Sequence, residues 1–150
     1  LDTLLLYSVL PLDRILTTYP VAARDYFAKS PVVYRLMNRL FRPVWVDRED
    51  GPGDVLEEMN RRLEAGGSIL IFPEGTRGEP GRLGEFKSGV GRLAMARRDI
   101  PLLPVHIRGP ERSLPRRARL PLPLWNYVTI GPPLRMTGTP SPCTLPWIPA

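Results

Sequence analysis

Between Ser68 and Pro80 the chain reads SILIFPEGTRGEP. Four apolar residues, Ile69 to Phe72, give way at once to a proline, a carboxylate, a glycine, a hydroxyl and an arginine. Arg77 supplies a planar fork of donors suited to phosphate. Gly75 permits an unusual backbone angle or the close approach of a ligand. Anion binding is the chemistry open to such a loop, with Glu74 and Thr76 as further polar contacts. The competing account is a solvated turn closed by an internal Glu–Arg pair, and loop composition by itself favours that account.

A binding loop needs a frame. SILIF reads as a buried strand of parallel-sheet type, the most buried in the chain, and Pro73 ends its ladder by withholding an N–H. In open α/β sheets, ligands collect outside the carboxyl ends of strands, which is where PEGTR stands. Upstream, Asp2 to Leu10 reads as a helix stopped by Pro11, and Val21 to Arg24 as a short strand. Val32 to Phe41 is a helix with Val33, Leu36, Met37 and Leu40 on its inner side and Arg35, Arg39 and Arg42 outside. Val44 to Asp47 is the next strand.

Asp54 then caps a helix, with Glu57 in capping-box position, and Gly66-Gly67 ends it. Val55, Leu56, Met59 and Leu63 face inward, while Glu57–Arg61 and Glu58–Arg62 make outward pairs. Ser88 to Arg98 is helical, and Leu102 to Ile107 and Tyr127 to Gly131 are strands. The order predicts an α/β fold, a mixed and mainly parallel sheet flanked by helices. Residues 1–134 form the domain. Residues 135–150 are a Pro-rich tail without periodicity, expected to be disordered or a linker.

The chain carries 21 basic and 15 acidic residues, a net charge of +6, with Lys29 and Lys87 its only lysines. An anionic partner follows from that balance, although arginine, proline, glycine and alanine rising together also fit a GC-rich gene. Hydrophobic residues at 43% and charged residues at 24% fit a soluble globular protein rather than a disordered one. Cys143 is the lone cysteine, which excludes an internal disulfide and a cysteine-built metal site. The run Leu4 to Leu12 is too short to span a membrane and lacks signal-peptide flanks. The opening, already helical and without methionine, suggests a fragment with residues upstream.

The full string FPEGTR (Phe72–Arg77) resembles the signature block of the glycerolipid acyltransferases, the 1-acylglycerol-3-phosphate acyltransferase (PlsC-like) family. Further blocks agree in order: VWVDRE (Val44–Glu49), EFKSGVGRLA (Glu85–Ala94), IPLLPVHIRG (Ile100–Gly109) and NYVTIGPPL (Asn126–Leu134). The resemblance covers about the first 134 residues and implies the glycerol-3-phosphate acyltransferase-like fold. Asp2 looks like the aspartate of the family's H-x-x-x-x-D motif, whose histidine falls before Leu1. On this resemblance the 150 residues alone are expected to be inactive.

The resemblance implies transfer of a fatty acyl group from acyl-CoA or acyl-ACP to the free hydroxyl of lysophosphatidic acid, giving phosphatidic acid. The motif histidine takes the hydroxyl proton as the oxygen attacks the thioester, and its ordinary pKa of about 6.5 leaves much of it neutral for that task. Asp2 fixes the tautomer and steadies the imidazolium. Arg48 and Arg77 hold the phosphate, Glu74, Gly75 and Thr76 shape acceptor binding, and Lys87 is a second cation near phosphate or CoA. No metal and no cofactor beyond the co-substrate are implied. The expected setting is the cytoplasmic face of a membrane, with no nucleic-acid partner.

Each residue also has a plainer role: Asp2 as a helix N-cap, Arg48 as a surface ion pair, Lys87 as a solvated helix start. His106 is the sole histidine supplied and stands in a strand pattern, where a structural role outweighs a catalytic one. Glycerol-3-phosphate or another lysophospholipid is the alternative acceptor. From another class, the alternative is a non-catalytic basic module that binds membrane through Arg35, Arg39, Arg42 and Arg112 to Arg119. Phosphate-loop, nucleophile-elbow and paired-histidine patterns do not fit.

Overall fold

The computed structural model describes residues 2–27, 30–47, 52–75, 84–109 and 125–136, and the structural statements here concern those residues. By its contacts the chain divides into two compact units, Leu10–Phe72 and Leu1–Val9 with Pro73–Ala150. The class is the mixed, mainly parallel α/β arrangement that the strand–helix order predicts.

In the Leu10–Phe72 unit, helix α1 having ended upstream at Val9 (Asp2–Val9), the order is α2 (Leu12–Ile15), β1 (Thr18–Ala23), α3 (Arg24–Phe27), α4 (Pro31–Leu40), β2 (Val44–Val46), α5 (Pro52–Glu64) and β3 (Ser68–Leu70). The three strands are parallel in the order β2-β1-β3. Strand β1 begins three residues before the sequence expectation, and Pro20 lies within it. Proline is usually excluded from a central strand because it removes a ladder donor. Here the two ladders are staggered: Thr18 to Pro20 register with β3, and Val21 to Ala23 with β2. Pro20 therefore has no β2 residue opposite it.

The core of this unit differs from the expected one. Val44 in β2 is 1% exposed, and Thr18 and Met59 are also buried. Burying a side chain the size of Val44 is worth about 1.5–3 kcal/mol. Among the described residues β3 pairs on one side only, with Ser68 exposed and Ile69 and Leu70 half-buried, so it is not the most buried strand. Strand β2 is paired on one side only among them as well, so the difference lies in the side-chain cover each strand receives, which an apolar run cannot reveal.

Side chains pin β2 firmly. Trp45 stacks on Tyr34 of α4 with centroids 4.8 Å apart and meets Phe27 edge-on at 5.7 Å. Its indole N–H donates to Asn38 Oδ1 at 2.9 Å. Arg24 and Asp47 pair at 2.7 Å across the carboxyl ends of β1 and β2. These contacts engage the polar side of α4. Val33, Leu36 and Leu40, expected to face inward, are exposed.

Helix α5 starts at Pro52, so Asp54 lies in its first turn and is not the N-cap. Glu58 takes both arginines, Arg62 at 2.7 Å and Arg61 at 3.0 Å, where Glu57 was the expected partner of Arg61. Arg62 reaches further. Its guanidinium lies 4.5 Å from the Tyr19 ring centroid and donates to the carbonyls of Arg42 and Pro43. Arg42, at φ 43°, in turn donates to the Leu16 carbonyl at 2.8 Å. Gly66 and Gly67 close α5 through amides bonded to Leu63 and Arg62.

The other unit holds α1, α6 (Ser88–Ala96), β4 (Val105–Arg108) and β5 (Tyr127–Ile130). Leu6 and Tyr7 of α1 and Leu93 and Ala94 of α6 are buried. Strands β4 and β5 are antiparallel, with His106 opposite Thr129, and a bridge between Leu102 and Leu134 extends the pairing. Arg97 binds Asp99 at 3.1 Å, and that side-chain hydrogen bond holds the Asp99 carboxyl below its ordinary range against a smaller opposing desolvation. The residues beyond 136 lie outside the described ones.

Candidate functional site

The strand-to-loop passage at Pro73 shows how the sequence builds the candidate site. The chain leaves β3 at Ile71 and Phe72, and the three residues that follow are laced to the approach of α6. The Lys87 amide donates to the Pro73 carbonyl at 2.8 Å. One oxygen of Glu74 accepts the Gly84 amide, also at 2.8 Å. The segment PEG thus lies beside GEFK, and each end of the pairing uses a backbone donor that irregular chain would otherwise leave to water.

Glycine is favoured by the backbone at Gly75, and at Gly84 it leaves room for the Glu74 carboxylate. Gly75 has φ +67°, the left-handed region that side chains disfavour by roughly 1–2 kcal/mol. A Cβ there would also stand 3.3 Å from Lys87 Cγ. A Cβ on Gly84 would fall 2.6 Å from Glu74 Oε2, inside any real contact distance. These two positions let the loop and the lysine stem lie close together.

The electrostatics follow from which charges are already engaged. Glu74 is half-buried and spends one oxygen on Gly84. Lys87 is exposed, precedes the first residue of α6, and pairs with no carboxylate among the described residues. The N-terminal end of a helix carries partial positive charge. Lys87 therefore adds a full charge where α6 already favours an anion.

Of the sequence-expected site residues, the structure brings together Glu74, Gly75 and Lys87. Asp2 opens α1 on an exposed face in the same compact unit, in the first turn, where its carboxylate suits the helix end. Arg48, Thr76 and Arg77 lie outside the described residues. His106 stands in β4 opposite Thr129, in keeping with a structural strand residue.

Two contributors went unread in the sequence. Gly84 anchors Glu74, and its only signal is a glycine ten residues beyond the carboxylate it serves. The Arg24–Asp47 pair fixes the carboxyl ends of β1 and β2 just before Arg48. Asp47 was visible in the VWVDRE block, but no spacing rule joins it to Arg24.

Comparison with known proteins places this sequence in a family. The model of the Acyltransferase family matches residues 1–108. A chloroplastic 1-acyl-sn-glycerol-3-phosphate acyltransferase of Brassica napus is 37% identical over 62 residues, 41% of this chain and 18% of that protein. The 1-acyl-sn-glycerol-3-phosphate acyltransferase of Pseudomonas aeruginosa is 33% identical over 104 residues, 66% of this chain and 39% of its own length. A lyso-ornithine lipid O-acyltransferase of Rhizobium meliloti is 34% identical over 101 residues, 63% of this chain and 35% of that relative. The matches thus span well under half of each relative. No solved structure gives a significant match.

Proposed function

This chain belongs to the acyltransferase family, and on that premise we propose that it carries the acceptor-binding part of an enzyme that acylates 1-acyl-sn-glycerol-3-phosphate to phosphatidic acid. The observation that carries the reading is the family match over residues 1–108, which takes in the loop from Pro73 to Lys87. The names of relatives in Brassica napus and Pseudomonas aeruginosa supply the acceptor. Lys87, without a carboxylate partner among the described residues and beside the left-handed Gly75 turn, supports an anionic ligand there.

In this reading the base is a histidine that the family spacing sets ahead of Asp2. It removes the proton from the acceptor hydroxyl while that oxygen attacks the thioester carbonyl of acyl-CoA or acyl-ACP. A C–O bond forms, the C–S bond breaks, and the proton passes to the departing thiolate. Asp2 holds the imidazole in the tautomer that leaves its catalytic nitrogen free, a positioning task worth several powers of ten where it has been dissected. Arg48 and Arg77 neutralise the phosphate, Thr76 adds a hydroxyl contact, and Lys87 extends the positive field toward the phosphate or the CoA. Glu74 acts on the loop itself, because its carboxylate already holds Gly84. The reaction needs no cofactor beyond its acyl donor. Both acceptor and product are lipids, so the setting is a membrane surface, on its cytoplasmic side.

The Rhizobium meliloti relative favours a second reading, in which the acceptor is a lysolipid without a glycerol phosphate. Assay of the full-length protein with acyl-CoA separates the two. Arg77→Ala should lower kcat/KM for lysophosphatidate by about 10²-fold while the KM for acyl-CoA stays near its parent value, because lost phosphate contacts act on one substrate. Equal damage to both substrates makes Arg77 structural. Product formed from lyso-ornithine lipid and none from lysophosphatidate would replace the first reading with the second.

A further inference from the structure

Helix α4 is attached by the side that an amphipathic helix normally turns to water. Tyr34 and Asn38, one turn apart, hold Trp45 by a stacked ring at 4.8 Å and a hydrogen bond at 2.9 Å. At about 100° per residue, Val32, Leu36, Leu40 and Val33 occupy an arc roughly opposite that contact. They are 73%, 52%, 54% and 42% exposed respectively. A helix with this pattern ordinarily buries its apolar stripe against a core. Here the helix meets Trp45 through its Tyr–Asn side, and the stripe lies on the opposite arc.

The border of the stripe is basic. Arg35 and Arg39 line one edge, and the sequence of α4 contains no carboxylate. Neither arginine has a hydrogen-bond or ion-pair partner among the described residues, which sets them apart from Arg24, Arg42 and Arg62. A second apolar pair stands at the carboxyl-terminal end of α4. Leu12 and Leu16 of the α2 turn are 84% and 68% exposed, and the Leu16 carbonyl accepts from Arg42. The helix has 10 residues, about 15 Å, against roughly 30 Å for a bilayer core. Among the described residues no helix is long and apolar enough to cross a membrane.

We propose that α4 lies in the plane of a bilayer surface containing anionic lipid, with Val32, Leu36 and Leu40 in the headgroup–acyl boundary and Arg35 and Arg39 on lipid phosphates. An apolar stripe edged by arginine, on a helix without carboxylates, is the composition of interfacial helices. Arginine stems cover apolar surface while their heads stay with phosphate and water. A net charge of +6 adds long-range attraction to the same surface. Charge complementarity selects lipid over a second copy of this chain, whose matching stripe would set arginine against arginine. The proposal deepens the membrane setting given above by naming the surface, and its test reads lipid binding without acyl transfer, so each can fail alone.

The test is flotation of the full-length protein with vesicles of phosphatidylcholine, with and without phosphatidylglycerol. Phosphatidylglycerol serves better than phosphatidic acid, which would also occupy a product site. Leu36→Asp with Leu40→Asp should weaken binding to the mixed vesicles by about tenfold or more. Arg35→Gln with Arg39→Gln should cost roughly 20-fold on the anionic vesicles and almost nothing on pure phosphatidylcholine. Leu36→Trp should show a blue-shifted emission change on adding anionic vesicles, a readout that needs no destabilising charge. The proposal is overturned if the double aspartate variant binds like the parent, if Leu36→Trp does not respond, or if the aspartates abolish a lipid-free dimer instead.

Discussion

Two places in this molecule concentrate positive charge, and they use it in opposite ways. Around Tyr19, Arg62 is engaged on every side: Glu58 at 2.7 Å, the Tyr19 ring at 4.5 Å, and the carbonyls that close the turn after α4. At the Gly75 turn, Lys87 lays its stem across the loop and leaves its ammonium unpaired among the described residues. A charge already matched by the fold holds structure together. One left unmatched beside a helix start is available to a ligand. A formal net charge of +6 mixes both kinds, so partners follow from which cations remain uncommitted.

The comparison can be broken most forcefully at Arg62. Arg62→Ala removes a charged hydrogen-bond set and a cation–π contact, with an expected loss of about 2–3 kcal/mol. Thermal denaturation should show the midpoint falling by several degrees, while acyl transfer per folded molecule holds steady. An unchanged midpoint would make the Tyr19 cluster ornamental.

At the other pole, Lys87→Met keeps the stem over Gly75 and deletes the charge. Stability should move by no more than about 0.5 kcal/mol, as for ordinary surface changes. The expected cost is about tenfold in kcat/KM for anionic substrates, with Lys87→Arg recovering most of it. Parent-like kinetics in Lys87→Met would reduce this cation to surface.

The smallest effect sharpens the contrast at Asp99. Its carboxyl is held below the ordinary range by the Arg97 hydrogen bond, so its folded pKa is below its unfolded one. The contribution is therefore fully present above the unfolded value of about 3.9 and is lost as pH falls through the lower folded value. A titration followed by NMR should place the Asp99 midpoint under that of a free aspartate, and Arg97→Gln should bring it back. Asp99 is exposed, and the accompanying change in stability should be slight.

How much of this was legible follows from how local each signal is. The helices α1, α4 and α5 and the strand at Val44 announced themselves through periodicity and stop residues within one or two turns. The start of β1 did not, because Tyr19-Pro20 argues against a central strand until the staggered ladders are known. The outward stripe of α4 also ran against the reading, since periodicity finds an apolar side and says nothing of what it meets. In the candidate site, Glu74 and Gly75 could be picked by type in the loop after the strand, and Lys87 only through the family resemblance. Their lacing through Gly84 and the Pro73 carbonyl could not, because it depends on a contact between segments ten or more residues apart.

Strand β3 has a neighbour on one side only among the described residues, and that neighbour is met by three residues. Deuterium should enter its amides sooner than those of β2, which aromatic rings and an ion pair lock in place. The polypeptide that delivers Pro73, Glu74 and Gly75 is thus tethered to the least protected rung of the sheet. Opening of β3 should therefore loosen Pro73, Glu74 and Gly75 before it disturbs β2.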